Sequence, residues 1–255
     1  MPELPDLAVM AKNLERRLKG HTLKQLVLHI DRKNNVPEIE MQSALIGHKV
    51  KSVYREGKEL RMEIGDATLG LHLMLHGELK IVDGEEGVKF PVLQLGFGKE
   101  SLYLTDWQKQ ATPTLNPEKS EVPDALEITR DKFVDLLAKK KSDIKTVLLD
   151  QKVIRGVGNA YADEILYDAG IAPSSRANAI PEKAVGSLYK SMVEVLKKAI
   201  EDISKSDPDR VTGENRDFMK IHLPKTEKTA KGEKIIVDQK GARKSYYVES
   251  QEEYK

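Results

Sequence analysis

The chain of 255 residues contains no cysteine. That excludes disulfides, thiolate nucleophiles and every cysteine-ligated metal site. It also lacks any apolar run approaching the roughly 18–20 residues needed to span a bilayer. Its acidic start has none of the apolar core of a signal peptide, so a soluble, cytoplasmic protein with no membrane partner is expected. Charge of one sign is missing too: 42 basic residues face 41 acidic ones, a net +1, and no global field recommends nucleic acid as a partner. The local distribution is less even. From Met219 to Lys244, eight basic residues face three acidic ones. On charge alone this segment reads equally well as a solvated hairpin face or a phosphate-tracking surface. The length allows one large domain or two modest ones with a proper core.

What is present divides into two textures. Leu7, Met10, Leu14 and Leu18 recur at helical spacing after Pro5, and Gly20 is a stop, so a helix is expected over 5–18. Strand-like segments follow: LKQLVLHI, KVKSVYREGKELRMEI as a hairpin or two sequential strands, the long apolar ATLGLHLMLHGELKIV, then VLQLGF and SLYLTDW. Strands at this spacing with little helix between them predict a β-sandwich or flattened barrel. TPTLNPEKSEVPDALEI, with Pro113, Pro117 and Pro123, reads as a linker. Beyond it the apolar residues fall at three- and four-residue steps, as in helices, up to the polar break SKSDPDRVTGENRD. The tail reads as two short strands around Gly232 and Gly241. The expected class is α+β, with an N-terminal domain over 1–112, a linker over 113–128, a helical domain over 129–217 and a β-hairpin over 218–255.

Two stretches point to chemistry. The chain begins MPELPDL, so removal of Met1 would leave Pro2 as a free secondary amine beside Glu3. By itself such a start is more often just the approach to a helix, with Glu3 near the positive end of its dipole. The second stretch is RGVGNAYADEILYDAGIAP, Arg155 to Pro173, where Gly156 and Gly158 bracket a tight turn before a helix starting near Asn159. Exposed N–H groups there would suit one phosphate, although most such turns merely join two helices.

Taken with the preceding VLLDQ, this run resembles the helix-two-turn-helix signature of the Fpg/Nei family of DNA glycosylases. MPELPDL resembles that family's N-terminus, closer to its formamidopyrimidine-DNA glycosylase branch. GKEL at Gly57–Leu60, HLMLHGELK at His72–Lys80, TDW at Thr105–Trp107 and the KG–GAR–SYY tail follow in the family's order, so the resemblance covers nearly the whole chain. It implies an N-terminal β-sandwich with flanking helices, a C-terminal helix-two-turn-helix domain and a β-hairpin finger. It also implies a bacterial, nucleoid-associated base-excision enzyme with lyase activity, acting as a monomer without cofactor on duplex DNA that carries a damaged base or abasic site.

The chemistry explains the residue types. An amine that attacks the sugar C1′ must be largely neutral near pH 7. An α-amino group, with an ordinary pKa of about 7.7–8.0, meets this more easily than lysine at about 10.4. Pro2 supplies such a nitrogen only once Met1 is gone, and its small size should permit that removal. Glu3 can act as acid/base or polarise the ring oxygen. The resemblance makes Lys58 a catalytic phosphate contact and Asp6, in place of the family's usual glutamate, a second carboxylate of shorter reach. It assigns phosphate grips to Asn159 and to Arg243 in the finger. The bland alternatives are a turn lysine for Lys58 and a helix N-cap for Asn159.

Two departures stand out. The positions of the family's four zinc-binding cysteines match Lys228, Lys231, Val248 and Gln251. No metal is expected there, and packing through Ile235, Ile236, Tyr246 and Tyr247 would have to hold the finger. The three side chains that fill the gap left by a flipped base match Leu75, Gln108 and Gln110, of which only Leu75 is an apolar wedge. Trp107, where the family usually has proline, offers a stacking surface, although a lone tryptophan at a strand end is more often packed. Oxidised or ring-opened purines are the expected substrates, with oxidised pyrimidines and alkylated purines as alternatives. A catalytically inert lesion binder and an RNA- or ribosome-associated protein are the rival readings.

Overall fold

The computed structural model describes residues 1–31, 34–83, 87–240 and 243–255. They form two compact units, the first from Met1–Lys119 with Ile203–Asn215 and the second from Ser120–Asp202 with Arg216–Lys255.

The first unit opens with α1, Leu4–Leu18. Leu7, Met10, Leu14 and Leu18 are buried along one side. Pro5 lies in the first turn, where its missing N–H has no helical partner to lose. Gly20, at φ 86°, stops the helix. Next come β1 (Gln25–Leu28), α2 (Glu38–Leu45), β2 (Val50–Glu56), β3 (Glu59–Ile64), β4 (Ala67–His72), β5 (Glu78–Asp83), β6 (Pro91–Gly96), β7 (Glu100–Thr105) and β8 (Thr112–Leu115). The strands make two antiparallel four-stranded sheets, ordered β2-β3-β4-β8 and β1-β6-β7-β5. One apolar cluster takes Leu60, Met62, Leu69 and Leu71 from the first sheet and Leu79, Leu93, Leu95, Leu102 and Leu104 from the second. The α1 side chains join it. Each fully buried leucine contributes roughly 1.5–3 kcal/mol, and this shared core is what makes the pair of sheets the expected β-sandwich.

Three details differ from the sequence reading. The helix α2 was not foreseen, because only Met41 and Leu45 anchor its inner side and two apolar residues give no periodic signal. The long apolar stretch from Ala67 breaks at 73–77, so β4 lies in one sheet and β5 in the other. The supposed linker starts as β8, with Pro113 opposite Leu71 on an edge strand, where a missing N–H is tolerated.

The second unit contains α3 (Arg130–Ala138), α4 (Ile144–Leu149), α5 (Asn159–Ala169), most of α6 (Glu182–Ser206) and the hairpin β9 (Ile236–Lys240) and β10 (Arg243–Tyr247). The hairpin's small core is Ile221, Ile235, Tyr246 and Val248, with Tyr167 packed against it. Of the four side chains expected to hold it, Ile235 and Tyr246 are buried, whereas Ile236 and Tyr247 are only half-buried. The turn around Gly241 lies outside the described residues. Among the described residues no helix is long and apolar enough to cross a membrane.

Candidate active site

The N-terminus is fixed in place rather than frayed. Pro2 and Glu3 are buried, and Glu3 stands at the N-cap of α1. Glu3 and Asp6 form a capping box, in which Asp6 Oδ2 accepts the Glu3 N–H at 2.9 Å. The other Asp6 oxygen accepts the Asn215 N–H at 3.3 Å. Asp6 is fully buried, so this carboxylate, expected as a second acid, is engaged in anchoring the residues that precede the helix. The Met1 ammonium pairs with the Glu214 carboxylate. In this form the Pro2 nitrogen belongs to a peptide bond.

Lys58 lies in the two-residue turn of the β2–β3 hairpin, between the paired residues Glu56 and Glu59. Gly57 beside it takes φ 59°, a left-handed conformation that such tight hairpin turns need. Lys58 acts on His72 at the end of β4. Burial lowers the His72 pKa, the Lys58 charge lowers it further, and Glu59 opposes both. The neutral imidazole has a use, since its Nδ1 accepts the Met74 N–H at 3.1 Å. That bond braces the turn carrying Leu75, which projects 60 % exposed.

Gln108 and Gln110 are exposed on the loop after β7. Asp106, nearly inaccessible, shapes that loop. Its Oδ1 accepts the Gln108 N–H at 2.9 Å, and its Oδ2 accepts those of Gln110 at 2.7 Å and Ala111 at 2.8 Å. Trp107 is 58 % exposed, not packed as a lone tryptophan at a strand end usually is. Its ring lies 5.1 Å from that of His76, tilted by 48°.

In the second unit, Gly156 at φ 101° and Gly158 at the N-cap open α5. Gln151 staples the turn, accepting the Gly156 N–H at 3.0 Å and donating to the Val157 carbonyl at 3.0 Å. Asn159 follows as the first helical residue, and its Nδ2 donates to the Lys244 carbonyl at 3.1 Å. Arg243, the neighbour of Lys244, is exposed at the start of β10. The structure thus brings Asn159 next to the strand that carries Arg243.

The sequence reading missed the side chains that hold this strand. The Lys145 ammonium donates to the Lys244 carbonyl and to Ser245 Oγ, each at 2.9 Å, and pairs with Asp163 at 2.7 Å. Asp163 also meets His222 Nδ1 at 2.8 Å, and the His222 ring packs 4.5 Å from that of Tyr246. Burial pushes the Tyr246 phenol up, and the Asp163 charge adds to the rise. Glu164 accepts the consecutive N–H groups of Lys220, Ile221 and His222 at 2.8–3.0 Å. The available signal was the adjacent carboxylates Asp163 and Glu164, set between Ala162 and Ile165–Leu166 in α5.

The residues at the family's zinc positions do not fit that metal. Lys228 and Lys231 are exposed cations. Val248 belongs to the hairpin core. Gln251 is buried, accepts the Val248 N–H at 2.9 Å and donates to the Ile171 carbonyl at 2.7 Å. An aliphatic chain and an amide already spent on backbone replace two of the thiolates that zinc would require.

Comparison with known proteins agrees with this architecture. Residues 1–112 match the formamidopyrimidine-DNA glycosylase N-terminal domain, and residues 120–208 match the formamidopyrimidine-DNA glycosylase H2TH domain. The formamidopyrimidine-DNA glycosylase of Carboxydothermus hydrogenoformans is 30 % identical over 224 residues, covering 85 % of this chain and 84 % of that one. A solved complex of LlFpg with a THF-DNA and an inhibitor superposes with a TM-score of 0.89 at 25 % identity, over 99 % of this chain and 100 % of that one. A complex of the wild-type Lactococcus lactis Fpg with an oxidised-pyrimidine-containing DNA superposes with a TM-score of 0.87 at 25 % identity, over 97 % and 98 % of the two chains. The chain belongs to the Fpg/Nei family of DNA glycosylases.

Proposed function

We propose that this DNA glycosylase removes a damaged base and then cleaves the strand as a lyase, with the nitrogen of Pro2 as nucleophile after Met1 is removed. Supporting this is the burial of Pro2 and Glu3 at the capped start of α1, which holds the amine in one place for attack on an extruded sugar. The amine bonds to C1′ as the glycosidic bond breaks; that bond's electron pair leaves with the base, which takes up the proton that the secondary amine sheds. Glu3 protonates the ring oxygen as the sugar opens and an iminium forms. The iminium acidifies the C2′ proton, and loss of that proton expels the 3′ phosphate. Lys58 in the first unit, and Asn159 and Arg243 in the second, each contact DNA phosphate, and such contacts position the strand without reading sequence. Oxidised or ring-opened purines are the substrates we infer. Oxidised pyrimidines are a second reading, motivated by the structural relative with that class of DNA.

The test is borohydride trapping. Processed protein, incubated with duplex DNA containing an abasic site and reduced, should yield a covalent adduct mapped to the N-terminal peptide. Protein retaining Met1 should give none. Processed protein that binds the duplex yet gives no adduct at Pro2 overturns the reading.

A further inference from the structure

The turn over 73–77 and the loop over 107–110 present Leu75 and Trp107 to solvent, joined by the His76–Trp107 ring contact. Phe90, 56 % exposed, adjoins them through the bond from the Asp106 N–H to its carbonyl. Large apolar side chains left in water are a cost that a folded protein normally avoids, and a cluster of them marks a contact surface.

The backbone beneath them is strained. Among the described residues four non-glycine residues have positive φ, and three are here: Met74 at 53°, Phe90 at 56° and Lys109 at 56°. Such conformations cost of order 1 kcal/mol or more each and persist where surrounding bonds impose them. Here the bonds are visible: His72 to the Met74 N–H, and Asp106 to three loop N–H groups. The platform is therefore pre-shaped. The loop over 107–110 carries one charge, that of Lys109, and the Asp106 carboxylate beside it is buried on three loop N–H groups, so this loop turns no carboxylate toward a polyanion, while Glu78 flanks the other segment.

Resting on the proposed function, we propose that Trp107, backed by His76 and flanked by Leu75, is the side chain that stacks on the base left unpaired when a nucleotide is extruded. The matched glutamines, Gln108 and Gln110, do not carry that role. An indole face stacks on any base, whereas a glutamine amide gains by hydrogen bonding and offers little π surface. Opposite-base discrimination should accordingly be weak, following stacking strength, with purines held better than pyrimidines.

Trp107 is the single tryptophan of the chain, so its emission reports on this contact directly. The experiment titrates the processed full chain with labelled duplexes carrying a tetrahydrofuran abasic analogue opposite each base. Anisotropy gives affinity while tryptophan emission is followed. The expected result is quenching in step with binding, and about 10- to 100-fold weaker affinity for Trp107→Ala on the abasic duplex. Trp107→Phe should keep most of the affinity, and on a fully paired duplex the two variants should differ by less than about twofold. Circular dichroism verifies that the variants fold. Binding with unchanged emission, or a Trp107→Ala variant as tight as the parent, overturns the stacking role alone. Failure of the parent to prefer the abasic duplex overturns the functional reading and this inference together. Emission that varies with protein concentration and is insensitive to DNA would make the surface a contact between copies, which also overturns it.

Discussion

The Lys145 ammonium and the Asp163 carboxylate lie 2.7 Å apart, both almost wholly buried. Through Lys145 the pair reaches the Lys244 carbonyl and Ser245 on β10, and through His222 it reaches Tyr246. A finger without thiolates is thus fastened from its base by a charged network and a four-residue apolar core. Lys145→Met should destabilise the second unit by about 3–5 kcal/mol, because it takes away the cation of a buried carboxylate and leaves it His222 alone among the described residues. Replacing both partners, as Lys145→Met with Asp163→Leu, should restore much of the loss. Urea unfolding of the single and double variants measures the difference. EDTA should leave the unfolding midpoint unchanged, and a drop in that midpoint would mean a metal contributes after all.

Asp6 spends both oxygens on backbone N–H groups, those of Glu3 and Asn215. Asp6→Ala leaves those donors without their acceptor in a buried place and should cost roughly 1–3 kcal/mol. If the carboxylate only anchors the N-terminus, Asp6→Asn should retain more stability than Asp6→Ala, and trapping at Pro2 should fall in step with stability. A fully stable Asp6→Ala protein that has lost trapping would instead make Asp6 an acid or base in the reaction.

His72 makes one part of the fold sensitive to acid. Burial holds its pKa below the usual 6.5, so the folded chain resists a proton that the unfolded chain accepts. Above pH 6.5 the imidazole is neutral in both states and its stabilising bond to Met74 is intact. As pH falls through 6.5 toward the lower folded pKa, stability declines. His72→Asn keeps an acceptor without titrating. Its stability should therefore fall less steeply between pH 7.5 and 5 than the parent's, as read from urea midpoints across that range. Parallel profiles would dismiss His72 as a source.

Gly77 closes the Leu75 turn, its N–H on the Leu73 carbonyl at 2.8 Å. A Cβ at this position would stand 2.1 Å from that same carbonyl oxygen, so the backbone must give way. Gly77→Ala should cost about 1–3 kcal/mol and shift the Trp107 emission, since His76 adjoins the glycine. An unchanged spectrum at unchanged stability would show the turn to be more compliant than its geometry implies.

Much of this was legible along the chain. The three- and four-residue spacing of α1, the turn residues of the β2–β3 hairpin and the glycines before α5 are local devices, and each was found from its own few residues. The candidate site residues come from short segments too, PELP, GKEL and GVGN, which lie at the capped start of α1, in the β2–β3 turn and at the start of α5. The finger's fastening was not readable, since Lys145, Asp163, His222 and Lys244 are scattered over a hundred residues. Nor could the sequence tell an exposed Trp107 from a packed one, because that depends on which neighbours arrive.

The amino-acid order by itself determined α1, the β2–β3 hairpin, the helical texture of the second unit, the family and the exclusion of thiolate chemistry, since these follow from side-chain type and short-range spacing. Only the tertiary structure decided that Asp6 anchors the chain's start, that the buried Lys145–Asp163 pair meets the strand after Arg243, and that an aromatic platform stands in strained loops. Charge burial and strain are properties of surroundings, and surroundings exist only once distant segments have packed.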